Sequence, residues 1–157
     1  MFNATSHSGI YVFDQDEALD FYVGKLGLEV SADSDLGFMR WLTVCVPGDD
    51  HHILLQKPGP PLMTDEVAAQ IRDLVSKGAL GLSMILTTDD CRTTYEELKA
   101  KGVEFLDEPT EQPYGIDCGF RDPFGNQGRI TQPSPEMGEI TDEVKKRWAD
   151  GAPDPVS

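Results

Sequence analysis

Apolar residues recur in two rhythms, alternation over short runs and three- to four-residue spacing over longer ones, and the rhythms succeed each other in the same order twice. Residues 8–13 read as a strand, and Asp14 with Glu17 three positions on predicts a helix start. Ala18, Leu19, Tyr22, Val23 and Leu26 fall on one face of that helix, and Gly27 is placed to end it in a left-handed conformation. Strands are expected over 28–32, 38–46 and 52–57, with turns at 33–37 and 47–50. The second half repeats the order: a strand over 82–87, a cap at Asp89 or Asp90, a helix burying Cys91, Tyr95 and Leu98 before Gly102, then strands over 103–106, 115–121 and 127–131. Between the halves, Thr64-Asp65-Glu66 opens a helix that Gly78 closes, and after Pro133 Thr141-Asp142-Glu143 opens another. That last helix carries only a narrow apolar stripe, Ile140, Val144 and Trp148, and is expected to dock on the body or on a partner subunit.

The two halves coincide at a spacing of 75 residues, which aligns Asp14 with Asp89, Gly27 with Gly102, Glu29 with Glu104 and Pro58 with Pro133. With 157 residues, 39% of them hydrophobic, the chain suffices for one compact domain and is too short for two independent ones. The start, 1–9, lacks the apolar stretch of a signal peptide, and no apolar run approaches the ~18 residues of a span, so a cytoplasmic location with no membrane partner is expected. Three widely spaced cysteines, Cys45, Cys91 and Cys118, predict free structural thiols. A formal net charge of -15 argues against nucleic acid as partner. The acids either keep the surface soluble or draw in a cationic ligand, and both readings stay open.

His7-Ser8-Gly9-Ile10-Tyr11-Val12-Phe13-Asp14, followed by Ala18-Leu19, Phe21-Tyr22 and Leu26-Gly27, resembles the opening of the vicinal oxygen chelate superfamily, which includes glyoxalase I, bleomycin-resistance proteins and extradiol dioxygenases. Asp89-Asp90, the run from Tyr95 to Val103, and Arg121-Asp122-Pro123-Phe124-Gly125-Asn126 resemble its second module. The resemblance spans roughly 6–133. It implies an α+β fold of two βαβββ modules forming a curled mixed sheet around a cleft, commonly in a homodimer. The whole chain, 1–157, then reads as one such domain, with module one over 6–58, a connector with its helix over 59–80, module two over 81–133 and a helical tail over 134–157.

Metal-using members of the superfamily place His or Glu on the first and last strands of each module. Carried over position by position, those ligands fall on His7, Leu54, Ser83 (Leu82 by the strict repeat) and Arg129. Leucine and guanidinium cannot bind a divalent ion, and serine binds one weakly. The resemblance therefore implies a small-molecule-binding protein without the usual metal site, one that sequesters an antibiotic or metabolite, and no cofactor is expected. One alternative is a metal-dependent lyase, isomerase or dioxygenase, with a divalent metal on His7 joined by His52 or Gln56, which share strand parity with Leu54. Another is metal-free acid–base catalysis by His7 or Tyr11 with Arg129 holding an anionic substrate. Arg129 in a cleft must meet either an internal carboxylate or an anionic ligand. Trp41 is either core packing or an aromatic wall, Tyr114 either an ordinary turn residue or a lid, and Cys118 an inert thiol unless a cation lowers its pKa.

Overall fold

A computed structural model describes residues 1–157. Its nine strands and four helices run β1 (His7–Tyr11), α1 (Gln15–Leu19, continued by a π-helical turn, Asp20–Lys25), β2 (Glu29–Asp35), β3 (Arg40–Cys45), β4 (His52–Gln56), α2 (Asp65–Ser76), β5 (Leu82–Thr87), α3 (Cys91–Ala100), β6 (Glu104–Phe105), β7 (Thr110–Gln112), β8 (Gly115–Arg121), β9 (Gln127–Pro133) and α4 (Asp142–Asp150). The fold is α+β. One mixed sheet has the strand order β1-β4-β3-β2, and the other β5-β9-β8-β6 with β7 also paired to β8.

The helices begin where side chains can satisfy first-turn amides. Asp14 accepts from Glu17 N at 2.8 Å, Thr64 from Val67 N at 3.2 Å, Asp90 from Thr93 N at 3.0 Å and Thr141 from Val144 N at 3.2 Å. Asp90, not Asp89, caps α3. The first strand is drawn one residue earlier than expected and stops at Tyr11. Strand β2 runs on through 33–35, where a turn was expected, because Asp33 pairs with Leu42 and Asp35 with Arg40 across the ladder. Strand β7 had no sequence signal: Thr-Glu-Gln is short and polar, and its pairing to β8 supplies what periodicity does not.

Alternation along the strands sends one face of each sheet into a shared core. Ile10, Val12, Leu42, Val44, Ile53 and Leu55 from the first sheet and Cys118, Phe120 and Ile130 from the second join Tyr22, Cys91, Tyr95 and Leu98 from the helices. All three cysteines are free and buried. Burial, and then the neighbouring Cys91, push the Cys118 thiol up to about 12, so it carries almost no thiolate near neutral pH.

The halves are joined through a buried turn. The Asp122 carboxylate, 3% exposed, accepts backbone N–H bonds from Phe124, Gly125 and Asn126 at 2.8–2.9 Å, the Asn126 amide at 2.8 Å and the Tyr22 hydroxyl at 2.7 Å. Asn126 Nδ2 also donates to the Tyr11 carbonyl at 2.8 Å, which ties the turn to the first strand. Burial, followed by the charge and hydrogen bond of Asp122, raises the Tyr22 hydroxyl well above its ordinary pKa. Gly125 has φ +113°, and a Cβ there would run into the Val75 carbonyl at the end of α2. Asp122→Ala is expected to destabilise the protein by about 3 kcal/mol or more, because buried amides lose their acceptor, and Tyr22→Phe by only about 1 kcal/mol. Urea unfolding of both variants measures this, and equal losses would contradict it.

Candidate functional site

The sheet faces that turn away from the core hold two separate groups of side chains. On the first sheet, His7 pairs in register with His52, Gly9 with Leu54 and Tyr11 with Gln56. The imidazoles of His7 and His52 stack at 5.0 Å and 29°, and the Trp41 indole lies 6.1 Å from His7. Trp41 thus belongs to this face and not to the core. His7 Nδ1 meets Ser6 Oγ at 2.9 Å, while His52 Nδ1 is buried with no hydrogen-bond partner. Gln56 leans across the strand, and a Cβ added to Gly9 would stand 2.8 Å from its Nε2. Tyr11 shares the parity of His7 but lies four residues along, ~13 Å at strand rise, and packs at the margin of the core. His51 points the opposite way, to Ser8 Oγ at 2.9 Å and the Thr5 carbonyl at 3.1 Å.

On the second sheet Arg129 stands between Ile85 and Gly119. Its Nε donates to Asp117 Oδ2 at 2.5 Å and its Nη2 to Asp107 Oδ2 at 3.2 Å. Tyr114 donates to the same Asp117 oxygen at 3.1 Å, and Asp107 also accepts from Gly119 N. Asp117 is 1% exposed, and its Oδ1 has no partner. Burial by itself lowers the Arg129 pKa, but the hydrogen bond and charge of Asp117, with Asp107 behind them, outweigh it and raise the value. Burial, then Asp117, push Tyr114 up to about 12. Of the two partners foreseen for Arg129, the internal carboxylate is therefore present, and doubly so. One guanidinium between two carboxylates leaves this group with an excess of negative charge. Asp107 and Asp117 gave no signal of this role in the sequence, since only strand pairing brings residues 107, 117 and 129 together.

Leu54 and Arg129 occupy matching places: Gly9 faces Leu54, and Ile85 faces Arg129. On the remaining first-strand position the ladder bulges. Leu82 holds the register with Gln127, as His7 does with His52, and the intervening Ser83 turns its hydroxyl onto the Gln127 carbonyl at 2.7 Å. No group of three or more His, Cys, Asp or Glu side chains is gathered closely enough to hold a metal ion. A leucine, a hydrogen-bonded serine and an ion-paired arginine do not fit the four-ligand site of the metal-using proteins.

Neither of the two main cavities joins the two groups. Tyr114 and Arg129 line one of about 620 Å³ with Asp107 and residues of α4. Ser83 lines another, of about 510 Å³, with Ser8, His51 and the rest of β5 from Met84 to Thr87. His7 and Trp41 line neither.

Two mixed sheets of this topology, each with its helix on the core side, define a class of paired-module protein. The chain matches the family model of the Glyoxalase/Bleomycin resistance protein/Dioxygenase superfamily over residues 4–129, and it belongs to that family. It is 40% identical to UcmS2, whose crystal structure superposes with a TM-score of 0.79 over 83% of this chain and 98% of that one. It is 31% identical to TnmS3, an antibiotic binding protein from Streptomyces sp. CB03234, with a TM-score of 0.67 over 85% and 98% of the two chains. Protein YurT of Bacillus subtilis (strain 168) is 35% identical over 126 residues, 80% of this chain and 95% of that protein. No helix is long and apolar enough to cross a membrane.

Arg129→Met is expected to cost roughly 2–3 kcal/mol of stability, because it strands the buried Asp117 charge. Adding Asp117→Asn should return most of it, and a double variant no more stable than the single one would argue against the pairing. Tyr114 has its folded pKa raised above the unfolded value, so its contribution to stability is present below pH ~10 and is lost as pH climbs through about 12. Spectroscopic titration of the phenolate should show that step, and Asp117→Asn should move it to lower pH.

Proposed function

We propose that this protein binds and sequesters a small organic molecule, an antibiotic or a metabolite, without the superfamily's usual metal, and that it does so as a cytoplasmic homodimer. The observation that carries the reading is the pair Leu54 and Arg129. At the two last-strand positions where metal-using members supply ligands, one side chain is apolar and the other is spent on two aspartates. What remains of the site is suited to contact with an organic molecule. One face offers the indole of Trp41, the imidazoles of His7 and His52, Leu54 and the Gln56 amide. The other offers Tyr114 and the ion-paired Arg129, with Ser83 at the edge of its sheet.

Homodimerisation is part of the proposal because neither main cavity of one chain brings the two faces together. A two-fold pairing that sets the first face of one copy against the second face of the other makes two equal clefts. Similarity to an antibiotic binding protein, at 31% identity, supports sequestration over turnover. The acid–base alternative, in which His7 or Tyr11 moves a proton while Arg129 holds an anion, has less support, since both aspartates already occupy the guanidinium.

Protein prepared without an affinity tag is expected to carry no stoichiometric Ni, Zn, Fe or Mn by elemental analysis and to have a solution mass of twice the 17.3 kDa chain. A panel of planar aromatic antibiotics should contain compounds that raise the unfolding temperature, and Trp41→Ala or His7→Ala should weaken their binding tenfold or more. Saturable metal binding that His7→Ala abolishes would overturn the metal-free reading.

A further inference from the structure

We propose that the cavity under α4 is a binding site for a planar aromatic carboxylate, with Tyr114 and Trp148 on the two faces of the ring and Arg147 on the carboxylate. The proposal rests on the small-molecule reading above and gives it a ligand class. The cavity has a volume of about 620 Å³, within the ordinary range for small-molecule sites. Asp107, Tyr114 and Arg129 line it from the sheet side, and Arg147 and Trp148 from the tail helix. The family match ends at residue 129, so the helix that forms one wall of this open cavity lies outside the matched residues.

The aromatic pair is close to the spacing a ring requires. The centroids of Tyr114 and Trp148 are 6.4 Å apart and their planes tilted by 39°. A third ring in carbon–carbon contact with both at 3.5–4.0 Å needs about 7–8 Å between them. The indole has only to swing outward by about an ångström and flatten.

Helix α4 is held in a way that permits this. None of its residues is buried. Its hydrogen bonds to the body go to two acceptors, Gln112 Oε1, which takes Trp148 Nε1 at 2.8 Å and Arg147 Nη2 at 2.9 Å, and the Glu111 carbonyl, which takes a longer bond from Arg147 Nη2. A nine-residue helix has little stability of its own, and polar contacts of this kind reform after a small shift.

The charge requirement comes from comparing the two guanidinium groups in the cavity. Arg129 is committed to Asp107 and Asp117. Arg147 makes no ion pair. Its bonds use Nη2 alone, which leaves the Nη1 and Nε N–H groups free to donate singly to a carboxylate oxygen. Within the cavity Arg147 offsets the excess negative charge of the Arg129, Asp107 and Asp117 group, and exposed charges beyond ~8 Å are largely screened at physiological ionic strength, so the net charge of -15 does not forbid an anion here.

The test is calorimetric titration of the full chain with 2-naphthoate, and with 2-naphthamide as the uncharged molecule of the same ring. Both are repeated on Arg147→Gln and Trp148→Ala, with circular dichroism to check the fold. We expect saturable binding of 2-naphthoate at one site per chain and at least tenfold weaker binding of 2-naphthamide. Arg147→Gln should remove that preference, and Trp148→Ala should weaken both compounds tenfold or more. Equal affinity of the two compounds for the unmodified protein, absence of binding at millimolar 2-naphthoate, or indifference to both substitutions would overturn the proposal. Binding lost in Trp41→Ala but kept in both α4 variants would overturn this site and leave sequestration at the other face standing. Binding that depends on α4, in a protein that no antibiotic of the panel stabilises, would uphold the site and count against sequestration.

Discussion

One buried carboxylate holds the two halves of this protein together. Asp122 is withdrawn from water and surrounded by donors, three of them backbone amides of its own turn, one the Asn126 side chain and one the Tyr22 hydroxyl from α1. A charge in that position is tolerable only because each bond replaces one that water would have made. Asn126 in turn reaches the Tyr11 carbonyl, so helix α1 and strand β1 are both fastened to a turn in the second half. The joint adjoins both outward faces, since Tyr11 ends the strand that carries His7 and Asp122 lies just past the strand that carries Asp117.

The repeat was visible in the sequence at a spacing of 75 residues, and the structure shows how that spacing survives two local departures from it. In the second half Ser83 bulges from the ladder, so from Met84 to the cap at Asp90 the equivalence runs at 76. In the first half the π-helical turn inserts one residue: Leu28 N reaches back six residues to the Tyr22 carbonyl, where Val103 N reaches back five to Leu98. The two insertions cancel, and Gly27 and Gly102 return to the common register. With the exception of β7, the strands, the helices and their caps, and most core-facing residues were legible because hydrophobic period and cap chemistry are local. The bulge and the π turn were not, since each is chosen by what packs against it; the π turn belongs to the segment that brings Tyr22 to Asp122.

The site was legible in part for a related reason. Alternation put His7, Leu54, Gln56 and Arg129 on one parity of their strands, and the resemblance drew attention to these positions. The partners of Arg129 could not be read. Asp107 lies in a loop, Asp117 is one of 28 acidic residues, and nothing local distinguishes them from acids that merely face solvent. Trp41 shows the converse limit. A tryptophan on a sheet strand suits a core as well as a cleft, and only its neighbours His7 and His52 decide between them.

The contrast between the two faces has a consequence for what they can hold. The first is largely uncharged and aromatic, while the second is an ionic network that already satisfies most of its own hydrogen bonds. If both line one cleft, a symmetric apolar ligand gains on the first face and desolvates the second without return. A ligand with a flat apolar side and a polar edge gains on both, and it can do so in one orientation only. Under the proposed function, Leu54 and Arg129 in place of metal ligands would change the basis of selection, from strong, short-range bonds to an ion to shape and polarity spread over many weak contacts. The site's preference then rests on how rigidly those contacts are held, which leads back through strand β1 to the Asp122 joint.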